Sequence, residues 1–367
     1  MIKLGECLTI KHGWAFKGEF FAESGEQSIL TPGNFYEAGG FKYNDERERY
    51  YTGEYPHEYL CKKGDLIVAM TEQAAGLLGS TAIVPKENRY LHNQRIGLIT
   101  CDEKHITKMF AYYLFMTKSV REQISRTSSG TKVKHTSPEK IYDVEVSLPD
   151  IPTQKKIAHF LWTIDCKIRN NIQINDNLQQ MSVVTYMHLF YGKKCNGRLG
   201  DIIVENAKST IQVGEAKDKF GDYPFFTSGD AVLRWTEPIV EGRNSFLNTG
   251  GNADVKFYVG ETAYSTDTWC ITAKDGMEDY LYLLLNSIKQ ELNLKFFQGT
   301  GLKHLQKPLL KDKAIYIPSK EEISSFNADV KPWLSMISDN TRESYRLSAL
   351  RDWLLPMLMN GQATIAD

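Results

Sequence analysis

From Ile157 the apolar residues step by four and three through Leu161, Ile164 and Ile168, and the same spacing continues through Asn171, Asn175 and Leu178. A period of about 3.5 residues marks a coiled-coil seam, in which a helix expects another helix as its partner. Pro152 stands near the start, where a missing backbone N–H does no harm. The spacing predicts a helix from Pro152 to about His188, roughly 55 Å long at a rise of about 1.5 Å per residue. A second seam runs through Phe326, Val330, Trp333, Ile337, Asn340 and Leu347. Pro332 lies inside it and predicts either a kink or a helix that begins there, because proline removes a backbone bond and clashes with the preceding turn. Elsewhere the period changes. Leu66-Ile67-Val68-Ala69-Met70 and Ile96-Gly97-Leu98-Ile99 are short apolar runs bounded by turn and charged residues, as buried strands are. Lys256-Phe257-Tyr258-Val259 alternates like a strand, and Tyr223 to Gly229 reads as a strand and turn. Ile106 to Gln123, with Phe110, Tyr113 and Leu114 on one face, and Asp279 to Leu294 read as helices, and Asn248-Thr249-Gly250-Gly251-Asn252 as a loop.

These elements occur twice. Gly130-Thr131-Lys132-Val133-Lys134-His135 recurs as Gly299-Thr300-Gly301-Leu302-Lys303-His304, and Leu148-Pro149 recurs at the same offset as Ile317-Pro318. The two seams keep that offset from Ile157/Phe326 to Leu178/Leu347, while Lys3-Leu4-Gly5-Glu6 recurs at a larger one as Arg198-Leu199-Gly200-Asp201. Two long copies fit duplicated domains better than a solenoid of many short units. The fold class expected is α+β: two pseudo-twofold-related mixed α/β domains separated by a long antiparallel two-helix coiled coil. The globular domains fall at 1–150 and 196–317, and the spacer helices at 151–195 and 318–367. In an antiparallel pair built on a twofold axis, equivalent positions meet near the middle, so Asn171 is predicted to lie close to Asn340. A polar residue on such a seam fixes register at a cost in stability.

The composition, 42% hydrophobic and 24% charged, belongs to an ordinary soluble globular protein. With no long apolar run and no signal-peptide pattern, a cytoplasmic location is expected. Six scattered cysteines without a Cys-x-x-Cys pair read as reduced, space-filling thiols. The net charge of −1 hides two basic stretches at the same place in each half: Lys118, Arg121, Arg126, Lys132, Lys134 and Lys140, then Lys289, Lys295, Lys303, Lys307, Lys311 and Lys313. One such stretch reads as a solvated helix end. Two, with Arg126/Lys295, Lys134/Lys303 and His135/His304 in register, point to a pair of phosphate-contacting surfaces.

Catalytic signatures are missing. There is no nucleotide-binding glycine loop, no His-Glu-x-x-His, no nucleophile elbow and no Pro-Pro of the kind amino-methyltransferases use. Pro149-Asp150 followed by Asp165-Cys166-Lys167 imitates a magnesium nuclease, but Asp165 and Lys167 fall on different faces of the seam helix. No metal site is expected. His135 and His304 lack a carboxylate or serine at fixed spacing, so a donor to phosphate or a loop-packing role is preferred to general-base work.

Leu4-Gly5-Glu6 and Leu199-Gly200-Asp201 open the two halves, and Gly64-Asp65-Leu66-Ile67-Val68, Tyr223 to Gly229 and the Gly-Thr loops follow in order. With Ser147-Leu148-Pro149-Asp150-Ile151-Pro152-Thr153-Gln154-Lys155-Lys156-Ile157-Ala158, this pattern resembles the specificity subunit of type I restriction-modification systems. The second copy departs from it, with Ile323 where Gln154 stands in the first, and with Pro332. The resemblance implies a DNA-binding subunit with no active site, whose domains are target-recognition domains, each reading half of a bipartite duplex site. It implies docking of two modification subunits, and through them restriction subunits, with S-adenosylmethionine, ATP and magnesium held by those partners and no cofactor here. A rigid helical spacer would set the gap. The base-reading candidates are Thr71, Gln73, Asn93, Gln94 and Arg95 in the first domain, and Lys208, Asn252, Lys256 and Asp267 in the second. Lys132, Lys134, His135, Lys303 and His304 are candidates for phosphate contacts. Two other readings compete: the DNA-recognition part of a self-contained restriction enzyme, and an assembly scaffold that does not bind DNA.

Overall fold

The computed structural model describes residues 1–43, 48–72, 76–130, 133–217 and 219–365. The chain forms two compact units, residues 1–166 with 347–367, and residues 167–346. Each takes residues from both long helices, so the globular cores extend past the boundaries at 150 and 317.

The first unit is built on a four-stranded antiparallel sheet in the order Leu8–His12, Ile96–Cys101, Leu66–Ala69, Thr81–Ile83. The apolar run at 66–69 is a central strand buried on both faces, which explains its lack of alternation. Ile2–Lys3 pairs with Glu145–Val146, and a smaller sheet joins Phe21–Ala22, Tyr50–Tyr51, Ser28–Ile29 and Tyr90–Leu91. The stretch expected as one helix from Ile106 is two, Lys108–Leu114 and Lys118–Thr127, because the Thr117 hydroxyl donates to the Leu114 carbonyl at the break.

The second unit repeats the plan. Its sheet runs Ile203–Glu205, Thr268–Ala273, Arg243–Asn248, Val255–Val259, and Gly197–Arg198 pairs with Ala314–Ile315. A three-stranded sheet holds Val232–Trp235, Tyr223–Phe226 and Ala263–Tyr264. Here too the long helix predicted from Asp279 is broken, into Glu278–Ser287, a short turn at Lys289–Glu291 and a π-helical turn at Leu292–Phe296.

The long helices are Ile151–Phe190 and Lys320–Met359. The first is capped by Asp150, whose carboxylate accepts the Thr153 N–H at 2.9 Å. Gln154, fully buried, accepts from the Thr107 N–H and donates to the His105 and Pro149 carbonyls, each at 2.9 Å, fastening the helix start to the domain. The second helix begins with a capping box of Ser319 and Glu322, which frees Ile323 to enter the core. It neither starts at Pro332 nor is interrupted there.

The seam does two jobs along its length. Ile157 and Leu161 sit in the first unit's core with Leu355, Leu358 and Met359, and Phe326 and Val330 in the second unit's core with Tyr186 and Phe190. Each fully buried side chain of this size contributes about 1.5–3 kcal/mol. Ile164 is buried, while Ile168, Leu178, Trp333, Ile337 and Leu347 are half-buried. Helix meets helix in the second unit, where Asn171 donates to the Asn340 carbonyl at 3.5 Å, to Glu343 at 2.8 Å and to Ser344 at 3.2 Å. Asn340 in turn donates to Asn175 at 2.9 Å. Rising positions on one helix meet falling positions on the other, so the pair is antiparallel and Asn171 lies beside Asn340 as expected. Among the described residues no helix is long and apolar enough to cross a membrane, and no disulfide joins the six cysteines.

Candidate nucleic-acid interface

In each unit three segments meet beyond the end of a central strand. In the first, the strand Leu66–Ala69 runs into Met70, whose N–H donates to the Arg95 carbonyl at 3.0 Å and whose carbonyl accepts from Thr136 at 2.9 Å. In the second, Arg243–Asn248 runs into Thr249, whose N–H donates to the Asp267 carbonyl at 3.0 Å and whose carbonyl accepts from Leu305 at 3.0 Å. The pattern of donors and acceptors is identical. It joins the loop before the next strand (Asn93-Gln94-Arg95, or Ser265-Thr266-Asp267) to the Gly-Thr loop carrying Lys134-His135 or Lys303-His304.

Gly130 has a φ of +100°, open to glycine and strained for other residues. A Cβ there would sit 2.0 Å from the Val133 carbonyl oxygen. Lys134 and His135 pair with Glu72 and Thr71, and the Thr71 hydroxyl lies 3.0 Å from His135 Nδ1. Glu72, buried, accepts the Leu77 and Leu78 N–H groups and has Lys134 at 3.9 Å. In the second unit Gln298 pairs with His304, and Gly251 donates to the Lys303 carbonyl at 2.9 Å.

The structure thus gathers Thr71, Asn93, Gln94, Arg95, Lys134 and His135 in one place. Thr71 is buried, Asn93 bonds the Arg95 N–H at 3.0 Å, and Gln94, Arg95 and His135 project to solvent. Gln73 and Lys132 lie outside the described residues. In the second unit Lys208 and Asp267 line a cleft of about 310 Å³ with Asn206, Thr249, Trp269 and Lys307. Burial pulls the Lys307 ammonium below its ordinary range, and nearby Lys311 and Lys208 add to that against the pull of Glu205. Asn252 is exposed on a loop wrapped around Asn248, beside the exposed His304 and the half-buried Lys303. Lys256 is turned inward, bonding the Thr227 and Gly229 carbonyls and facing Asp254, and burial lowers its pKa.

The duplicated basic stretches resolve into two kinds of charge. Arg126 and Lys295, in register, each pair with an acid one turn earlier, Glu122 at 3.4 Å and Glu291 at 3.1 Å, so their repetition is that of a helix ion pair. Arg121 is folded in, donating to the carbonyls of Phe115, Gly76, Leu78 and Glu37, and burial lowers it to about 10. Lys289 and Lys313 are paired with Asp254 and Glu291. The nuclease-like Asp165 holds the Tyr113 hydroxyl at 2.6 Å and Arg351 at 2.7 Å, which occupies both carboxylate oxygens.

One residue beside the first junction escaped the sequence reading. Trp14 donates to the His92 carbonyl at 2.8 Å and accepts from the Gln94 N–H at 3.1 Å, and it is 41% exposed. The available signal was Gly13, an unexplained glycine before an aromatic residue.

Two mixed domains of one plan, an antiparallel helix pair and a repeated three-segment junction define a two-domain specificity architecture. The family model for the type I restriction modification DNA specificity domain matches residues 1–180 and 193–330, and the chain belongs to this family. It is 22% identical over 308 residues to the type I restriction enzyme MjaIX specificity subunit of Methanocaldococcus jannaschii, covering 71% of this chain and 70% of that one. The MjaVIII specificity subunit of the same organism is 25% identical over 171 residues, 45% of this chain and 39% of the other. The crystal structure of a type I restriction-modification S subunit from M. genitalium aligns with a TM-score of 0.66 at 15% identity, covering 97% of this chain and 95% of that one.

Proposed function

We propose that this chain is a non-catalytic DNA specificity subunit that reads a bipartite duplex site, one unit per half-site, with the helix pair setting the gap. The observation that carries the reading is the junction described above: an identical backbone frame occurs twice and presents different side chains, Asn93-Gln94-Arg95 in one copy and Thr266-Asp267 in the other, where Ser265 is buried. A shared frame with unlike readers is what two unrelated half-sites require. Lys134 and Lys303 hold equivalent places on the Gly-Thr loops and serve as phosphate contacts, which position without specifying. Two modification subunits dock on this chain in the cytoplasm and bring restriction subunits with them; S-adenosylmethionine, ATP and magnesium belong to those partners.

The test is the methylome of a host carrying this subunit with its modification subunits. A split recognition sequence with a fixed gap is expected. Methylation or cleavage of DNA by the purified chain alone would instead make it a self-contained enzyme.

A further inference from the structure

We propose that Trp14 reads a base of the first half-site by packing its indole on the C5-methyl group of a thymine in the major groove. The inference rests on the DNA-reading function proposed above. Trp14 is fixed to the reading loop through its own backbone, between the His92 carbonyl at 2.8 Å and the Gln94 N–H at 3.1 Å. The approach is close enough that a Cβ on Gly13 would lie 2.1 Å from the Asn93 carbonyl oxygen, so this chain crossing is built for glycine.

The indole is also held. Its ring lies 5.3 Å from Tyr59, which lies 6.1 Å from the buried His92, while the Lys11 ammonium sits 4.2 Å from the centre of the Tyr59 ring. A large apolar side chain kept 41% exposed against the tilted Tyr59 ring, beside the exposed Gln94 and Arg95, is placed to touch something outside the chain. Gln and Arg are the side chains that match adenine and guanine edges in the major groove, and the one apolar group on those edges is the thymine methyl. Tyr59, tilted at 43° to the indole, covers part of it, which favours contact at a base edge over insertion between base steps. The second unit has no tryptophan at the corresponding place. Ile211, half-buried, takes the corresponding bond from Thr266 at 2.9 Å, so the contact belongs to one half-site only.

The experiment uses the chain assembled with its modification subunits, on duplexes whose site comes from the methylome. Each thymine of the first half-site is replaced in turn by deoxyuridine, which lacks only the methyl. The wild-type complex should lose about fourfold in affinity at a single thymine, the scale of one methyl group withdrawn from water. Trp14→Phe should keep that sensitivity, and Trp14→Ala should bind more weakly and ignore the substitution. A 5-iodouracil duplex needs no variant: irradiation should attach that position to the peptide carrying Trp14. Uniform indifference to deoxyuridine in the wild type, sensitivity that persists in Trp14→Ala, or cross-links only elsewhere would each overturn the assignment while the bipartite methylome stood. No bipartite methylome at all would remove the DNA-reading function as well.

Discussion

At Gly13 a methyl group would meet the Asn93 backbone at 2.1 Å, and backbone cannot step aside as a flexible side chain can. Gly13→Ala should therefore cost about 1–3 kcal/mol as an overpacked contact and weaken recognition of the first half-site alone, read by thermal unfolding and by methylome. His92 lies under the same crossing with its Nε2–H donating to the Ile96 carbonyl at 2.8 Å, and burial lowers its pKa from 6.5 to about 4. Unfolded, it takes up a proton near 6.5; folded, only near 4. The unfolded chain thus binds the extra proton between those values, and stability that is full above pH 6.5 falls as pH drops towards 4. The loss is on the order of 3 kcal/mol. Hydrogen exchange on the strand Ile96–Cys101 should accelerate through this window, and less so in His92→Gln. At this scale Asn93, Gln94 and Arg95 were legible because a polar cluster ahead of an apolar run announces a loop. Trp14 was not, because its partners lie far along the chain and no local pattern connects them.

The seam made Asn171 and Asn340 legible, since heptad spacing and the constant offset between the two copies both select them. Replacing both with leucine should raise the melting temperature, as apolar seam residues do, while loosening register. Glu343, which loses its bond from Asn171, is 45% exposed and can rehydrate. The register effect should appear as methylation at more than one gap length, whereas a single gap would mean that the asparagines do not set it. Asp165→Ala should be more damaging, because it leaves the buried Tyr113 hydroxyl without its acceptor and the half-buried Arg351 with Asp352 alone; the loss in thermal unfolding should be about 1–3 kcal/mol. Asp165→Asn should cost less by keeping hydrogen-bonding capacity at that place. Other elements were hidden from periodicity. The strand Arg243–Asn248 holds Asn244, Ser245 and Asn248 in buried positions. Hydrogen bonds that only tertiary structure supplies satisfy the asparagines, so the strand carries no apolar signature.

In the whole molecule, both long helices run from one compact unit into the other, Ile151–Phe190 and Lys320–Met359 each contributing to both. The length of the helix pair is therefore the quantity that the proposed reading makes into a DNA gap. An insertion in one helix alone would throw the seam out of step, so the clean variant inserts one heptad in each helix at facing points, after Asp176 and after Met336, which leaves Asn171 and Asn175 beside Asn340. A heptad keeps every seam residue on its face and adds about 10 Å at about 1.5 Å per residue. At about 3.4 Å per base pair along duplex DNA, the methylome should report the same two half-sites with a gap roughly three base pairs longer. Unchanged half-sites with an unchanged gap would show that spacing is set by something other than the helices. Lost methylation with normal folding and normal assembly would show that the modification subunits, and not only the readers, measure the distance along this pair.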